Sequence, residues 1–314
     1  MHILIYGNDA VDYCSEVHHA KTLMALDHSV TLLNEQKIQT DEILKYDIDI
    51  FIWIHSHGFI NRGTDMKQIL SILKDRGVPT IAYHLDLYMG LERWKEYEKS
   101  SYMNNLQYFF TVDRLMADWL NKFSNTRSYY IPAGVFHEEC YSLDLPKKYD
   151  VVFVGSKGYH KEWKYRPELI EWLKDTYKDR FFHFGGDGLG VVRGHELNKV
   201  YAQSKVVIGD TLCPNFIYPY YFSDRLFESV GRGAFTIFPY IKGIEEMYNN
   251  DELITYTYND LEELRSKIDY YLHNETERAK IQKRGFERTK KDHTYIKRWI
   301  EILKIIKENE GNNN

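Results

Sequence analysis

The chain reads as an α/β protein made of two domains, each built on a parallel sheet. Short apolar runs, such as HILIYG at 2–7 and VVFVG at 151–155, alternate with longer stretches whose apolar residues recur at helical spacing. A strand, a tight loop, a helix and a second strand in succession predict parallel pairing. The length, 314 residues, suits about two domains of 100 to 200 residues each. A polar stretch, SLDLPKKY at 142–149, separates two such series and reads as the linker.

In the first half, HILIYG ends in Gly7 and Asn8, the next stretch has helical period, and HSVTLL alternates as a second strand. No G-x-G-x-x-G follows the first strand, so neither a dinucleotide fingerprint nor a P-loop is present there. Three further strands end in polar residues: IDIFIWIHSHG in His55 and His57, VPTIAYHLDLY in His84 and Asp86, and QYFFTVD in Asp113. Open α/β sheets bind ligands at such carboxyl ends. The histidines equally suit strand caps. No acidic or thiolate partner lies at metal-binding spacing, and the D-x-D of Asp47 and Asp49 flanks a strand start and reads as structural.

The second half opens with YDVVFVGS at 149–156, ending in Gly155 and Ser156. The segment after it interleaves Lys157, His160, Lys161, Lys164 and Arg166 with Tyr159, Trp163 and Tyr165. Phosphate neutralisation, a grip on a nucleic-acid strand with aromatic stacking, and a solvated loop before a helix near Pro167 all suit that mixture. DRFFHFGGDGLG is a strand followed by a glycine-rich loop containing Gly186, where a backbone can approach a flat ligand closely or simply turn. The run VVIGD ends at Asp210, and a helical pattern then begins at Ser223, its predicted N-cap, with Leu226, Phe227 and Val230 as the apolar stripe. Asp224 suits the first turn. Arg225 opposes the helix dipole there and so calls for an anion, such as a diphosphate, to compensate it. Glu228, one turn on, can reach a ribose. Gly231 and Gly233 break the helix before the strand AFTIF.

A net charge of −5 argues against general electrostatic adhesion to DNA or anionic membrane. The three cysteines, Cys14, Cys140 and Cys213, are too scattered for a disulfide framework or zinc cluster, which fits a reducing, cytoplasmic setting. No apolar run approaches the ~18 residues of a spanning helix, so no integral membrane segment is expected.

The string SDRLFESVGRGAFTI from Ser223 resembles the donor-binding segment of CgeB-like, group-1 glycosyltransferases of the GT-B fold. RGFERTKKDHTYIKRW from Arg284 to Trp299 resembles the H-T-Y-x-x-R tail of the same group, and RSYYIPAGVFHEECY at 127–141 resembles the segment before its interdomain linker. The resemblance implies two Rossmann-like domains whose parallel sheets face each other across a cleft. Residues 1–141 would bind the acceptor and 149–290 the donor, and 291–314 would cross back to the first domain, packing through Trp299, Ile300, Leu303 and Ile306. It implies a retaining, metal-independent hexosyl- or pentosyltransferase that needs no cofactor beyond its nucleotide-diphosphate sugar, a UDP-sugar among the candidates. Gly155, Ser156, Arg166, Gly186, Asp210, Tyr221, Ser223, Asp224 and Glu228 are the implied donor residues. Arg225 and Lys157 would stabilise the leaving diphosphate, and Asp86 would be the base if transfer inverts. Gly7, Asn8, His55, His57 and His84 would meet the acceptor: a glycan, a protein or small-molecule hydroxyl, or, as in phage enzymes, a hydroxylated DNA base. A non-catalytic nucleotide-sugar module is the other reading. The chain departs from the wider superfamily at Tyr220, eight positions before Glu228, where many retaining members carry an acid.

Overall fold

The computed structural model describes residues 1–38, 40–54, 65–87, 89–92, 105–158, 162–211 and 218–311. His55 and His57 lie outside these residues. The chain divides into two compact units, Met1–Pro132 together with Tyr295–Asn314, and Ala133–Thr294.

Unit 1 runs β1 (His2–Gly7), α1 (Ser15–Ala25), β2 (Ser29–Asn34), α2 (Thr40–Ile43), β3 (Ile50–Trp53), α3 (Met66–Asp75), β4 (Thr80–His84), β5 (Tyr108–Thr111), α4 (Arg114–Phe123) and β6 (Arg127–Tyr130). Its six strands lie in the order β2-β1-β3-β4-β5-β6, all parallel. Apart from the first residue of β1, every residue of β1, β3, β4 and β5 is buried. That explains why these strands read as continuous apolar runs rather than alternating ones. Tyr6, Phe51, Trp53, Leu70, Phe109 and Leu120 belong to one core cluster. Asp113, expected as a ligand-facing strand end, instead caps α4: its carboxylate accepts the Met116 N–H at 3.2 Å and is fully buried.

Unit 2 runs β7 (Tyr149–Val154), α5 (Tyr165–Tyr177), β8 (Phe181–Phe184), α6 (Gly194–Ala202), β9 (Ser204–Ile208), α7 (Asp224–Gly231), β10 (Thr236–Pro239), β11 (Ile254–Tyr256), α8 (Leu261–His273) and α9 (Glu275–Asp292). The sheet order is β11-β10-β9-β7-β8, again all parallel. The strand order reverses between β7 and β9, the place where sheets of this kind open a crevice at their carboxyl ends.

The segment before the expected linker packs into unit 2. Val135 pairs with Thr294 and donates its N–H to His293 O at 2.9 Å, and Asn198 Nδ2 donates to the carbonyls of Glu139 and Tyr141. The stretch 142–149 therefore lies within that unit rather than at its border. His293 serves structure here: it is buried, its Nε2 donates to Met247 O, and its ring lies against Phe227 and Tyr248.

The last helix, α10 (Tyr295–Gly311), belongs to unit 1. Of the predicted stripe, Trp299 and Ile306 are buried, Ile302 joins them, Leu303 is only half-buried and Ile300 is 48% exposed. The helical turn carries residue 300 about 100° away from 299, off the packed face. Trp299 Nε1 donates to Nδ1 of the fully buried His19 at 3.0 Å, and the His19 ring stacks on Tyr295 with centroids 4.4 Å apart. Burial lowers the His19 pKa from 6.5 to about 3, so this anchor is a neutral imidazole. No helix among the described residues is long and apolar enough to cross a membrane.

Candidate functional site

A charged cluster of unit 2 stands at the β7/β9 reversal. Asp210, two residues past β9, is fully buried. Its Oδ2 accepts from Arg166 Nε at 2.7 Å and its Oδ1 from Arg225 Nη1 at 3.2 Å. Arg166, near the start of α5, also donates from Nη1 to Ser156 O at 3.1 Å. Arg225, in the first turn of α7, donates from Nε to Val154 O, at the last residue of β7, at 2.8 Å. Two guanidinium groups share one carboxylate at the head of α7, where the Ser223 N–H is already held by Thr211 Oγ1 and the Arg225 N–H by Asp224 Oδ1, and where Asp224 and Glu228 add negative charge. Desolvation pulls the Arg225 pKa down, but the carboxylates of Asp210 and Asp224 outweigh it and raise the value, so the group is a cation at any working pH.

Gly155 makes this packing feasible. It sits at φ 145°, a backbone region that side chains avoid, and a Cβ there would stand 2.8 Å from Arg225 Nη2. Nη2 makes no hydrogen bond to another described residue, and the Arg225 side chain is 21% exposed. The fork thus keeps two donors uncommitted.

Ser223 occupies the N-cap position, but its hydroxyl makes no cap bond; it donates to Asp210 O at 3.0 Å. The Ser223 N–H is taken by Thr211 Oγ1 at 3.1 Å. The end of β9 and the head of α7 are therefore stitched together. Leu226, Phe227 and Val230 bury the opposite face of the helix, as predicted. Asp224 and Glu228 share a face one turn apart. Desolvation first, and then the Glu228 charge, push Asp224 up to about 6, although the residue keeps solvent contact. Arg232 at the other end is 2% exposed and is held by Glu139, Asn198 and the Gly194 carbonyl.

The loops after β7 and β8 are tied together by residues that sequence reasoning passed over. His183 Nε2 donates to Gly155 O at 2.7 Å, and the Lys157 N–H donates to Asp187 Oδ2 at 3.0 Å. The alternation FHFGGD was the only signal for that pair. Gly186 is exposed, and a Cβ there would meet nothing within 4 Å. Lys157 Nζ, expected beside Arg225, pairs with Glu171 on α5 instead. Arg166 and Asp210 face each other rather than solvent, and Tyr221 is buried, its carbonyl accepting from Thr211.

Other expectations shift as well. Trp163 and Tyr165, read as available for stacking, are buried: the Arg166 guanidinium lies 5.4 Å from the Trp163 ring, and Tyr165 OH meets Tyr256 OH at 2.8 Å. Tyr220 adopts a left-handed backbone at φ 57°, with its N–H on Lys242 O and its ring against Gly243. In unit 1, Gly7 is buried at the end of β1, Asn8 Oδ1 accepts from Ala10 N, and Asp86 lies half-buried just past β4. His84 is 1% exposed, its ring 5.8 Å from Phe109, a core position. Asp49 accepts the His2 N–H and Asp47 O accepts from His2 Nδ1, so the D-x-D secures the start of the sheet. Among the described residues, no three His, Cys, Asp or Glu side chains are grouped so as to hold a metal ion.

Two parallel α/β units, with the final helix assigned to the first, form the GT-B glycosyltransferase architecture. Residues 145–304, more than half of the chain, match the family model described as glycosyl transferase-like, and the chain belongs to that family. No curated protein matches it in sequence. Among solved structures, a glycosyltransferase from Rickettsia africae ESF-5 is similar at 18% identity and TM-score 0.62, covering 98% of both chains. HepE of Anabaena in complex with UDP-glucose is similar at 11% identity and TM-score 0.69, over 98% of this chain and 100% of that one. An alpha-glucosyltransferase in complex with UDP and a 13-mer DNA gives 12% identity and TM-score 0.71, over 98% and 99%.

Proposed function

We propose that the protein transfers a sugar from a nucleoside-diphosphate sugar, a UDP-sugar foremost, to an acceptor hydroxyl, and that the diphosphate sits against Arg225 at the β7/β9 reversal. The observation that carries this reading is the uncommitted edge of Arg225, aimed over a glycine at the one place where β7, β9 and α7 converge. As the anomeric C–O bond to the diphosphate breaks, negative charge grows on the leaving oxygen, and a fixed guanidinium with a helix N-terminus stabilises it without reorganising. In the retaining course, the acceptor oxygen bonds to the anomeric carbon and its proton passes to the departing phosphate. Asp86 is then dispensable; in an inverting course it is the base. Charge neutralisation falls to Arg225 rather than to a divalent ion, so turnover persists in EDTA.

Two of the three aromatic residues that suited a nucleic-acid acceptor, Trp163 and Tyr165, are buried in unit 2, and the third, Tyr159, lies outside the described residues. This favours a glycan, protein or small-molecule acceptor and a cytoplasmic enzyme of that kind over a DNA-modifying one. A thermal-shift panel of nucleoside diphosphates and their sugars tests the reading: ligand at 100 times its dissociation constant adds about 2.7 kcal/mol of stability. Absence of any shift across UDP, GDP, ADP and their sugars would refute it.

A further inference from the structure

We infer that Asp210 is a positioning residue of the donor site: it never touches the diphosphate but holds Arg225 in the orientation that binds it. The inference rests on the donor reading above and assigns how that site is built. Asp210 is fully buried, and both carboxylate oxygens are occupied, Oδ2 by Arg166 Nε at 2.7 Å and Oδ1 by Arg225 Nη1 at 3.2 Å. Neither oxygen reaches the surface. Its main-chain carbonyl also accepts the Ser223 hydroxyl, so the one residue touches the helix head through both backbone and side chain.

The geometry explains why an arginine site needs a buried acid. Two like-charged guanidinium groups brought to one strand end repel each other, and the desolvation of a buried charge is tolerated only when it is paired. Asp210 bridges them with separate oxygens, so neither arginine displaces the other. With Nη1 held by Asp210 and Nε by Val154 O, two edges of the Arg225 plane are fixed, and the remaining Nη2 edge lies over Gly155. A planar fork fixed at two points has one orientation. Released from Asp210, the same side chain keeps a single anchor and its rotamer freedom, and ordering it on ligand binding weakens affinity.

A double-mutant cycle tests this. Wild type, D210N, R225Q and the double variant, each confirmed folded by circular dichroism, are titrated with whichever of UDP, GDP and ADP binds the wild type most tightly. D210N is expected to weaken binding about tenfold in the wild-type background and less than about twofold when Arg225 is already Gln, because coupled residues are not additive. D210E, which keeps the charge but displaces it by one methylene, follows D210N in direction and carries the test if D210N does not fold. Equal weakening in both backgrounds means direct contact with the ligand and overturns the inference, as does a variant that melts lower yet binds as the wild type does. If R225Q alone leaves diphosphate affinity unchanged, the donor reading itself fails, which is a different result from additive losses.

Discussion

At the end of β1 and at the end of β7 the chain passes through a glycine, and each glycine has a charged side chain lying where a Cβ would stand. Over Gly7 it is Glu16, whose Cγ would be 2.6 Å from that Cβ; over Gly155 it is Arg225, whose Nη2 would be 2.8 Å away. Gly7 ends and Gly155 directly follows the strand at which the sheet order reverses, β1 between β2 and β3, and β7 between β8 and β9. The same topology thus carries opposite charge. Unit 2 presents a cation at its reversal point, with the hydrogen-bonding to keep it oriented, whereas unit 1 presents a 2%-exposed carboxylate and buries a neutral histidine, His19, on the helix beside it. Fold alone therefore says where a ligand can sit, and the charge of the side chain over the glycine says of what kind.

The sharpest way to break this comparison is to remove its cation. Arg225→Ala is expected to lower kcat/KM for transfer by about 100-fold or more, the loss typical of a deleted charge-stabilising donor. The fold should persist, since the apolar face of α7 is untouched, but the melting temperature should fall, because the buried Asp210 Oδ1 and the Val154 carbonyl lose their donor. Steady-state kinetics at unchanged rate would remove Arg225 from the mechanism. Next comes the pair of glycines. Gly155→Ala forces a side chain into a φ of 145° and against Arg225, so diphosphate affinity should fall about tenfold along with roughly 1–3 kcal/mol of stability. Gly7→Ala meets Glu16 and should cost about 1–3 kcal/mol as an overpacking change. Its diphosphate affinity, measured calorimetrically, should stay at the wild-type value; a parallel loss would erase the contrast between the units.

Acid provides a third handle. The folded His19 pKa is about 3 against 6.5 in an exposed chain, so between those values the unfolded state binds the extra proton. Stability is fully present above pH 6.5 and drops as pH falls, by up to about 1.4 kcal/mol per unit from this one group. Urea melts from pH 7.5 to 5 should show this loss, reduced in His19→Gln. Asp224 has the opposite sign. Its folded value is raised from 3.8 to about 6, so its contribution to stability is present at low pH and lost as pH rises through 6. Asp224→Asn should accordingly raise the melting temperature slightly at pH 7.5, with a smaller gain at pH 5 and none below about pH 3.8, where the carboxyl is protonated in both states; a gain independent of pH would assign it to something other than the carboxylate charge.

Much of the architecture was legible from short-range pattern. Strands buried on both faces announce themselves as apolar runs, and the stripe Leu226, Phe227, Val230 announces α7, because burial repeats with the local period of the backbone. That Arg225, a cation in the first turn of a helix, needs an anion was visible, but the anion it meets in the structure is the carboxylate of Asp210, a residue the sequence had placed at the donor. Asp113 and His84 show the limit: each stood at a strand end with the right chemistry for a ligand, and only the packing made one a helix cap and the other a core ring against Phe109. The returning helix was predicted, and so were Trp299 and Ile306 of its buried stripe, but not the exposure of Ile300, because which face of a helix is buried depends on the partner it meets, and that partner, His19, lies 280 residues earlier.

By itself, then, the sequence determined the alternation of strands and helices, the glycines at the strand ends and the cation at the head of α7, all properties of neighbours along the chain. Tertiary structure alone decided who neutralises whom: Asp210 with Arg166, 44 residues apart, Lys157 with Glu171, and Arg232 with Glu139. The physical reason is that periodicity acts through the local backbone, whereas a charge pairs with whatever the fold brings within a few ångströms, and that distance is set only when the sheet has closed.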